Sequence, residues 1–278
     1  MSDPDGRRTI VTHRKPHLDE VVASWLLETF DPAYTNCDYV FIALNPTGGD
    51  MPKGEQYVGL GVGRGKYDEH GLKVGQSATK LVFEDLMHRG LIPNEAHEDK
   101  ALEWLVHYAH QEDTGMWETN DPAYTSFSIP AILRGHYLVM NNDQAIITFG
   151  HQIIDAVMAN LNARAQFLAD WDQRIEFDSK WGKAVALTSQ FKASDAFAYH
   201  QGFVLRVQKD PTKDFGDFRA PATSNVDLTD IFADVEKIEP GAWFLHQSKK
   251  ILVASNDPAS GLPTTKISLQ QLIDLVSK

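Results

Sequence analysis

The chain has 278 residues, 42% of them hydrophobic, with 26 Lys and Arg against 38 Asp and Glu, a formal charge of −12. That balance argues against a protein built to grip long nucleic acid, which needs clustered Lys and Arg facing phosphates, but leaves room for a small phosphorylated ligand. No stretch approaches the roughly 20 apolar residues of a membrane span, the first residues are polar, and the single Cys37 excludes an internal disulfide and a cysteine-rich zinc site; the expected location is the cytoplasm.

In chain order, residues 9–11 read as a short strand and residues 18–30 as a helix, with Val21, Val22, Ala23, Trp25, Leu26 and Leu27 on its apolar side. Further strands are expected at 39–44 and 57–60, and this β-α-β order favours a parallel sheet. A glycine-rich loop, Gly59-Leu-Gly-Val-Gly-Arg-Gly65, then leads to Tyr67-Asp68-Glu69-His70. The loop neither opens a helix nor carries Gly-Lys-Ser/Thr, so dinucleotide-binding and P-loop readings both fail; its glycines let the backbone turn tightly. Helical spacing returns at 78–87 and 96–110, with Asn94 as a candidate N-cap for the second. A Pro-free stretch over 141–174 repeats Ile146, Ile147, Ile153, Ile154 and Val157 at helical intervals. Beyond residue 180, short strands are expected at 184–187, 203–207, 243–246 and 251–254, the last two as a hairpin, and Ser268 caps a closing helix. The expected fold class is α/β: a parallel-sheet N-terminal domain (1–140), a helical linker (141–180) and a smaller α+β C-terminal domain (181–278).

Four segments carry histidines or carboxylates near predicted element ends: His13/His17/Asp19, Asp68/Glu69/His70, His107/His110/Glu112/Asp113, and Arg134/His136. The first falls where a strand ends and a helix begins, the position at which α/β sheets place their chemistry. Mixed nitrogen and oxygen donors without thiolates suit Mn²⁺, Mg²⁺, Co²⁺ or Zn²⁺ outside a structural zinc site. The chain has no Gly-x-Ser-x-Gly, which removes support for a serine hydrolase.

His13-x3-His17-x-Asp19-Glu20, then Tyr67-Asp68-Glu69-His70, then Glu112-Asp113-Thr114-Gly115 resemble, in order and rough spacing, the DHH phosphoesterase superfamily. The first motif is most similar to the melanocyte-proliferating-gene branch (uncharacterised protein family 0160 type), with one residue fewer between the histidines. The resemblance covers about the first 115 residues. It implies a two-metal hydrolase, commonly manganese-dependent, acting on phosphodiester or phosphoanhydride bonds; the acidic balance makes a short oligonucleotide or a dinucleotide the expected substrate. By position it makes His13, His17, Asp19 and Asp113 metal ligands. Glu69 stands where the superfamily has the first histidine of its Asp-His-His triplet and is the substitute ligand; Asp68 and His70 are the catalytic candidates. Gly59 falls where an aspartate is usual, leaving one metal or two open. Substrate phosphates would be met in the second domain by Arg206, His246, Lys250 and Lys266, with Lys249 beside them. A domain that has lost catalysis and serves as a ligand-binding or regulatory protein, and a phosphoanhydride hydrolase, are the alternatives; the oligomeric state is open.

Overall fold

The computed structural model describes residues 7–44, 50–70, 75–93, 100–116, 125–254 and 261–277. Asn94 and the expected helix start at 96 lie outside them. The chain divides into two compact units, Met1–Asn162 and Ala163–Lys278. Among the described residues no helix is long and apolar enough to cross a membrane.

The first unit is built on a parallel three-stranded sheet: β1 (Thr9–His13) lies between β2 (Asp38–Ile42) and β3 (Tyr57–Gly59). Ile10 and Val11 on the central strand are fully buried, as a strand covered on both faces requires. Among the described residues, α1 (Leu18–Phe30) joins β1 to β2, and α2 (Ala78–His88), α3 (Lys100–Asp113) and α4 (Ile129–Met140) come after β3. Helix α5 (Asp143–Asp172) starts in the first unit and ends in the second. Its Ile146, Ile147 and Ile154 join the core around Leu26, Val82, Leu86 and Leu105.

Two carboxylates set the helix starts. Glu20, in the first turn of α1, accepts the His17 backbone N–H at 2.9 Å, satisfying an amide that the helix itself leaves unpaired. Asp19 reaches 59 residues ahead to α2, accepting the N–H groups of Ala78 at 2.7 Å and Thr79 at 2.9 Å, while Ser77 caps the same helix by accepting from Lys80. The Trp25 indole N–H donates to Asp155 at 2.8 Å, and Ser24 Oγ lies 2.9 Å from His151 Nε2, so α1 is tied to α5 by polar contacts as well as packing.

Helix α5 approaches α1 closely at Gly150, where an added Cβ would stand 2.5 Å from Val21 Cγ1. Val21 is fully buried and its β-branched side chain has one favoured helical rotamer, so it has little room to yield. Gly150→Ala is therefore expected to destabilise the protein by about 1–3 kcal/mol, although alanine is the better helix former by about 1 kcal/mol. A urea unfolding midpoint that rises on substitution would contradict this packing.

The second unit carries a six-stranded mixed sheet in the order β4-β5-β6-β7-β9-β8: β4 (Ile175–Ser179), β5 (Gly182–Thr188), β6 (Leu205–Lys209), β7 (Gly216–Arg219), β8 (Trp243–Leu245) and β9 (Ile251–Ala254). Only β5 and β6 run parallel; the other neighbours are antiparallel, including the β8–β9 hairpin. Helices α7 (Thr229–Ile238) and α8 (Leu269–Val276) bury one face with Ala186, Leu205, Val207, Phe218 and Leu252. The other face carries Val185 and Leu187 against Phe167 and Trp171 of α5 and Ala198 of α6 (Ser194–His200). Both faces are covered, so β6 buries its alternate polar residues Arg206 and Gln208 as well as its apolar ones.

Candidate metal centre

The end of β1, the first turn of α1, the segment after the glycine loop and the last residue of α3 bring their side chains to one place in the first unit. His13, His17 and Glu20 form one group of donor atoms; Asp68, Glu69 and His70 form a second; Asp19, Glu69 and Asp113 form a third. Within each group the donor atoms lie within 4.8 Å of one another. The third joins residues from three separate stretches of the chain, and Glu69 belongs to two groups. The five expected ligands fall in these groups, and the first group is linked to the third by the charge coupling of Glu20 with Asp19 and of Glu20 and His17 with Asp113.

His13 ends β1, buried, with Nδ1 2.8 Å from the Arg14 carbonyl. A carbonyl only accepts, so that nitrogen carries the proton and Nε2 is the one 3.1 Å from Glu20 Oε1. The rings of His13 and His17 meet edge to face at 4.8 Å. Asp68, almost fully buried, accepts the backbone N–H of His70 at 3.0 Å and sits 2.8 Å from its Nδ1; its other oxygen accepts the Arg64 N–H. Asp68 thus closes the glycine loop and orients the exposed His70 ring, whose Nδ1 also lies 3.3 Å from Glu69 Oε1. That is the role of a positioning carboxylate.

The charges are crowded. Burial raises the Asp19 carboxyl well above its usual range, with Glu20 and Asp113 adding repulsion. Burial pushes Glu69 up to about 7, with Glu20 and Asp113 again contributing, and Asp113 is raised for the same reasons. Glu20 goes the other way: burial would raise it, but His13 and His17 outweigh burial and hold it low. Burial disfavours a charged His13, yet Glu20 prevails and its pKa stands at about 9. For His70 the carboxylates Asp68 and Glu69 likewise overcome burial and raise it. Five carboxylates, Asp19, Glu20, Asp68, Glu69 and Asp113, share this site, and the Glu69 Oε2 atom is buried without a hydrogen-bond partner among the described residues. Crowded anions with an unsatisfied oxygen are the arrangement that a bound cation relieves, so the donor set fits a divalent ion held by oxygen and imidazole.

Glu20 escaped the sequence reading as a donor, although it follows Asp19 directly. Its signal was the spacing His17-x-x-Glu20, which reads as a helix cap and proves to be that and a cluster member at once. The glycine loop also needs a correction. A Cβ on Gly59 would strike the Val62 carbonyl and Met51, away from the cluster; it is Gly61, at φ +62°, whose Cβ would stand 2.6 Å from Glu20 Oε1. The position from which this loop would project a side chain into the site is 61, and the Glu20 carboxylate fills that space.

Other expected residues are committed elsewhere. His110 Nδ1 lies 3.2 Å from the Ser77 hydroxyl, and His136 stacks on Phe149 at 4.2 Å. In the second unit Arg206, 1% exposed, pairs with Asp217 inside the sheet. Its Nε has no hydrogen-bond partner among the described residues but is sealed in with the rest of the guanidinium, so Arg206 cannot meet a substrate phosphate. Lys250 is corrected for a similar reason: its ammonium donates to the Ser224 carbonyl at 2.8 Å and to that of Val226, which fixes the loop before α7. His246 Nδ1 lies 2.8 Å from the Ser248 hydroxyl within the β8–β9 turn. Lys266 pairs with Asp214 and Lys249 with Asp227, both at exposed sites. No known family model matches the chain, and no curated protein does.

Proposed function

We propose that the first unit is the catalytic part of a metal-dependent hydrolase acting on a small phosphodiester, as the likeness to the DHH phosphoesterases implies. The observation that carries this reading is the meeting of residues 13–20, 68–70 and 113 in one cluster of imidazoles and carboxylates. His13, His17, Asp19, Glu20, Glu69 and Asp113 would hold the ion or ions, with manganese the first choice for a set this rich in oxygen. Glu20 supplies the carboxylate that the glycine loop lacks.

A divalent ion bound there supplies Lewis acidity at phosphorus and makes water acidic enough to react at neutral pH. The protein's own groups do the rest. In the overall reaction a water oxygen bonds to phosphorus, the ester P–O bond breaks, and the departing oxygen takes up a proton. His70 is the group for that proton: Asp68 fixes its Nδ1, so Nε2 is presented in a constant direction and with its basicity raised. The burial of His13, Asp19 and Glu20 keeps water from loosening the donor set.

The purified full chain is expected to hydrolyse a labelled dinucleotide or short oligonucleotide when supplied with Mn²⁺ and to lose that activity in EDTA. His13→Ala should lose it as well. Failure to bind Mn²⁺ at saturating concentration would defeat the reading. A second reading rests on the glycines at 59 and 61: without a carboxylate from that loop the cluster would bind an ion and a ligand without turnover, and Mn²⁺ binding with no hydrolysis of any tested ester would favour it.

A further inference from the structure

The metal cluster opens into a cleft of about 580 Å³ inside the first unit, with His17, Asp19 and Asp113 in its wall. The opposite wall is α4, whose Pro130, Leu133, Arg134, Tyr137 and Leu138 line the cleft. These positions follow the i, i+3, i+4, i+7, i+8 rhythm of a single helix face, so the whole face is turned to the cavity. That volume lies within the range of clefts that enclose a drug-sized organic ligand and far exceeds what a lone phosphate fills.

The chemistry along the cleft is divided. Its carboxylates come from Asp19, Glu112 and Asp113; its cations are Lys15 and Arg134. Lys15 is held in place: its backbone, at φ +58°, donates N–H to Asp143 Oδ1 at 2.7 Å, and its ammonium lies 5.1 Å from the centre of the Tyr137 ring. Arg134 is exposed and forms no ion pair among the described residues. A guanidinium and an ammonium near a cluster that binds phosphate through an ion are suited to a further anionic oxygen. Tyr137 and the exposed Leu138 offer apolar surface beside them, with Leu133 buried behind.

We infer that the cleft binds the ring-bearing portion of the substrate, a phosphoester with a nucleobase or other aryl group, with that ring on Tyr137 and Leu138 and the phosphate oxygens met by Arg134 and Lys15. This rests on the hydrolase reading above and assigns these substrate contacts to the first unit. Pyrophosphate fits poorly, because the cleft joins only two cations to a largely apolar wall.

The test is calorimetric titration of the full chain, loaded with Mn²⁺, with adenosine 5′-monophosphate and separately with inorganic phosphate. The nucleotide is expected to bind at least tenfold more tightly than phosphate. Arg134→Gln and Tyr137→Leu should each weaken it about tenfold, and Tyr137→Phe, which keeps the ring, should not. Mn²⁺ affinity should be the same in all four proteins, which also reports that they are folded. Equal affinity for nucleotide and phosphate, or unchanged nucleotide affinity in Arg134→Gln, overturns the inference; if the wild type meanwhile binds Mn²⁺ and turns over a diester, the hydrolase reading stands without it. A wild type that binds no Mn²⁺ overturns both.

Discussion

Asp113→Ala is expected to lower manganese-dependent kcat/KM at least about a thousandfold, the equivalent of roughly 4 kcal/mol of lost transition-state stabilisation. The same substitution should leave the ion-free protein as stable as wild type, or slightly more so. Asp113 is the last residue of α3 and is exposed on its outer side; its carboxyl is raised by burial of its inner side and by Glu20, so it contributes repulsion and, among the described residues, no structural hydrogen bond. Asp19→Ala makes the contrast. It too removes a donor, but it also strips the Ala78 and Thr79 amides of their acceptor, and buried amides left unpaired cost about 1–3 kcal/mol each. Phosphodiester turnover, Mn²⁺ titration and the melting temperature of the EDTA-treated protein, measured on Asp113→Ala, separate chemistry from folding. Full turnover in this variant would remove the α3 end from the site.

Asp217→Asn should cost about 3–5 kcal/mol, the range for breaking a buried ion pair by neutralising one partner. Arg206 Nη2 lies 3.1 Å from Asp217 Oδ2, a second contact joins Nη1 to Oδ1, and Arg219 Nε adds a bond at 2.7 Å. Without the carboxylate, the Arg206 charge is stranded in the sheet. Arg206→Met combined with Asp217→Leu should recover most of the loss, since it removes both charges together. The pair also dictates an acid response. Burial alone would raise the Asp217 carboxyl, but Arg206 and Arg219 outweigh it and hold it below its ordinary value. Its contribution is therefore complete above the unfolded value of about 3.9 and is lost as the pH falls through the lower folded value. Urea unfolding of wild type and Asp217→Asn should diverge least at the acid end; a difference that grows on acidification would refute the assignment.

The first unit was largely legible because its elements advertise themselves. The apolar triplet ahead of His13 and the run Val21–Leu27 obey their periods, and the absence of Pro marks α5. Strands β4 and β7 were hidden for definite reasons. Residues 175–179 sit on a sheet edge with little burial, and 216–219 carry Asp217 and Arg219 in a strand interior, where the expectation of apolar residues fails because two arginines neutralise the aspartate. The same blind spot made Arg206 look like a solvent-facing cation: alternation in β6 reads as one wet face, yet α6 and the end of α5 cover it. Helix α4 was missed because Pro130 and Gly135 break its pattern and its exposed Leu138, Val139 and Met140 do not sort onto one side. Within the cluster, sequence spacing gave His13, His17 and Asp19, while the partnership of Glu69 with Asp19 and Asp113 depends on chain folding over more than forty residues in either direction.

Asp19 belongs at once to the proposed ion-binding group and to the start of α2, and this double allegiance has a thermodynamic corollary. Whatever draws its carboxylate toward Glu69 and Asp113 also tugs on two amides at the head of that helix, so occupancy and helix anchoring are linked functions. An ion that pulled Asp19 away from Ala78 and Thr79 would loosen the first turn of α2, so residues 77–79 are where occupancy would register in that helix.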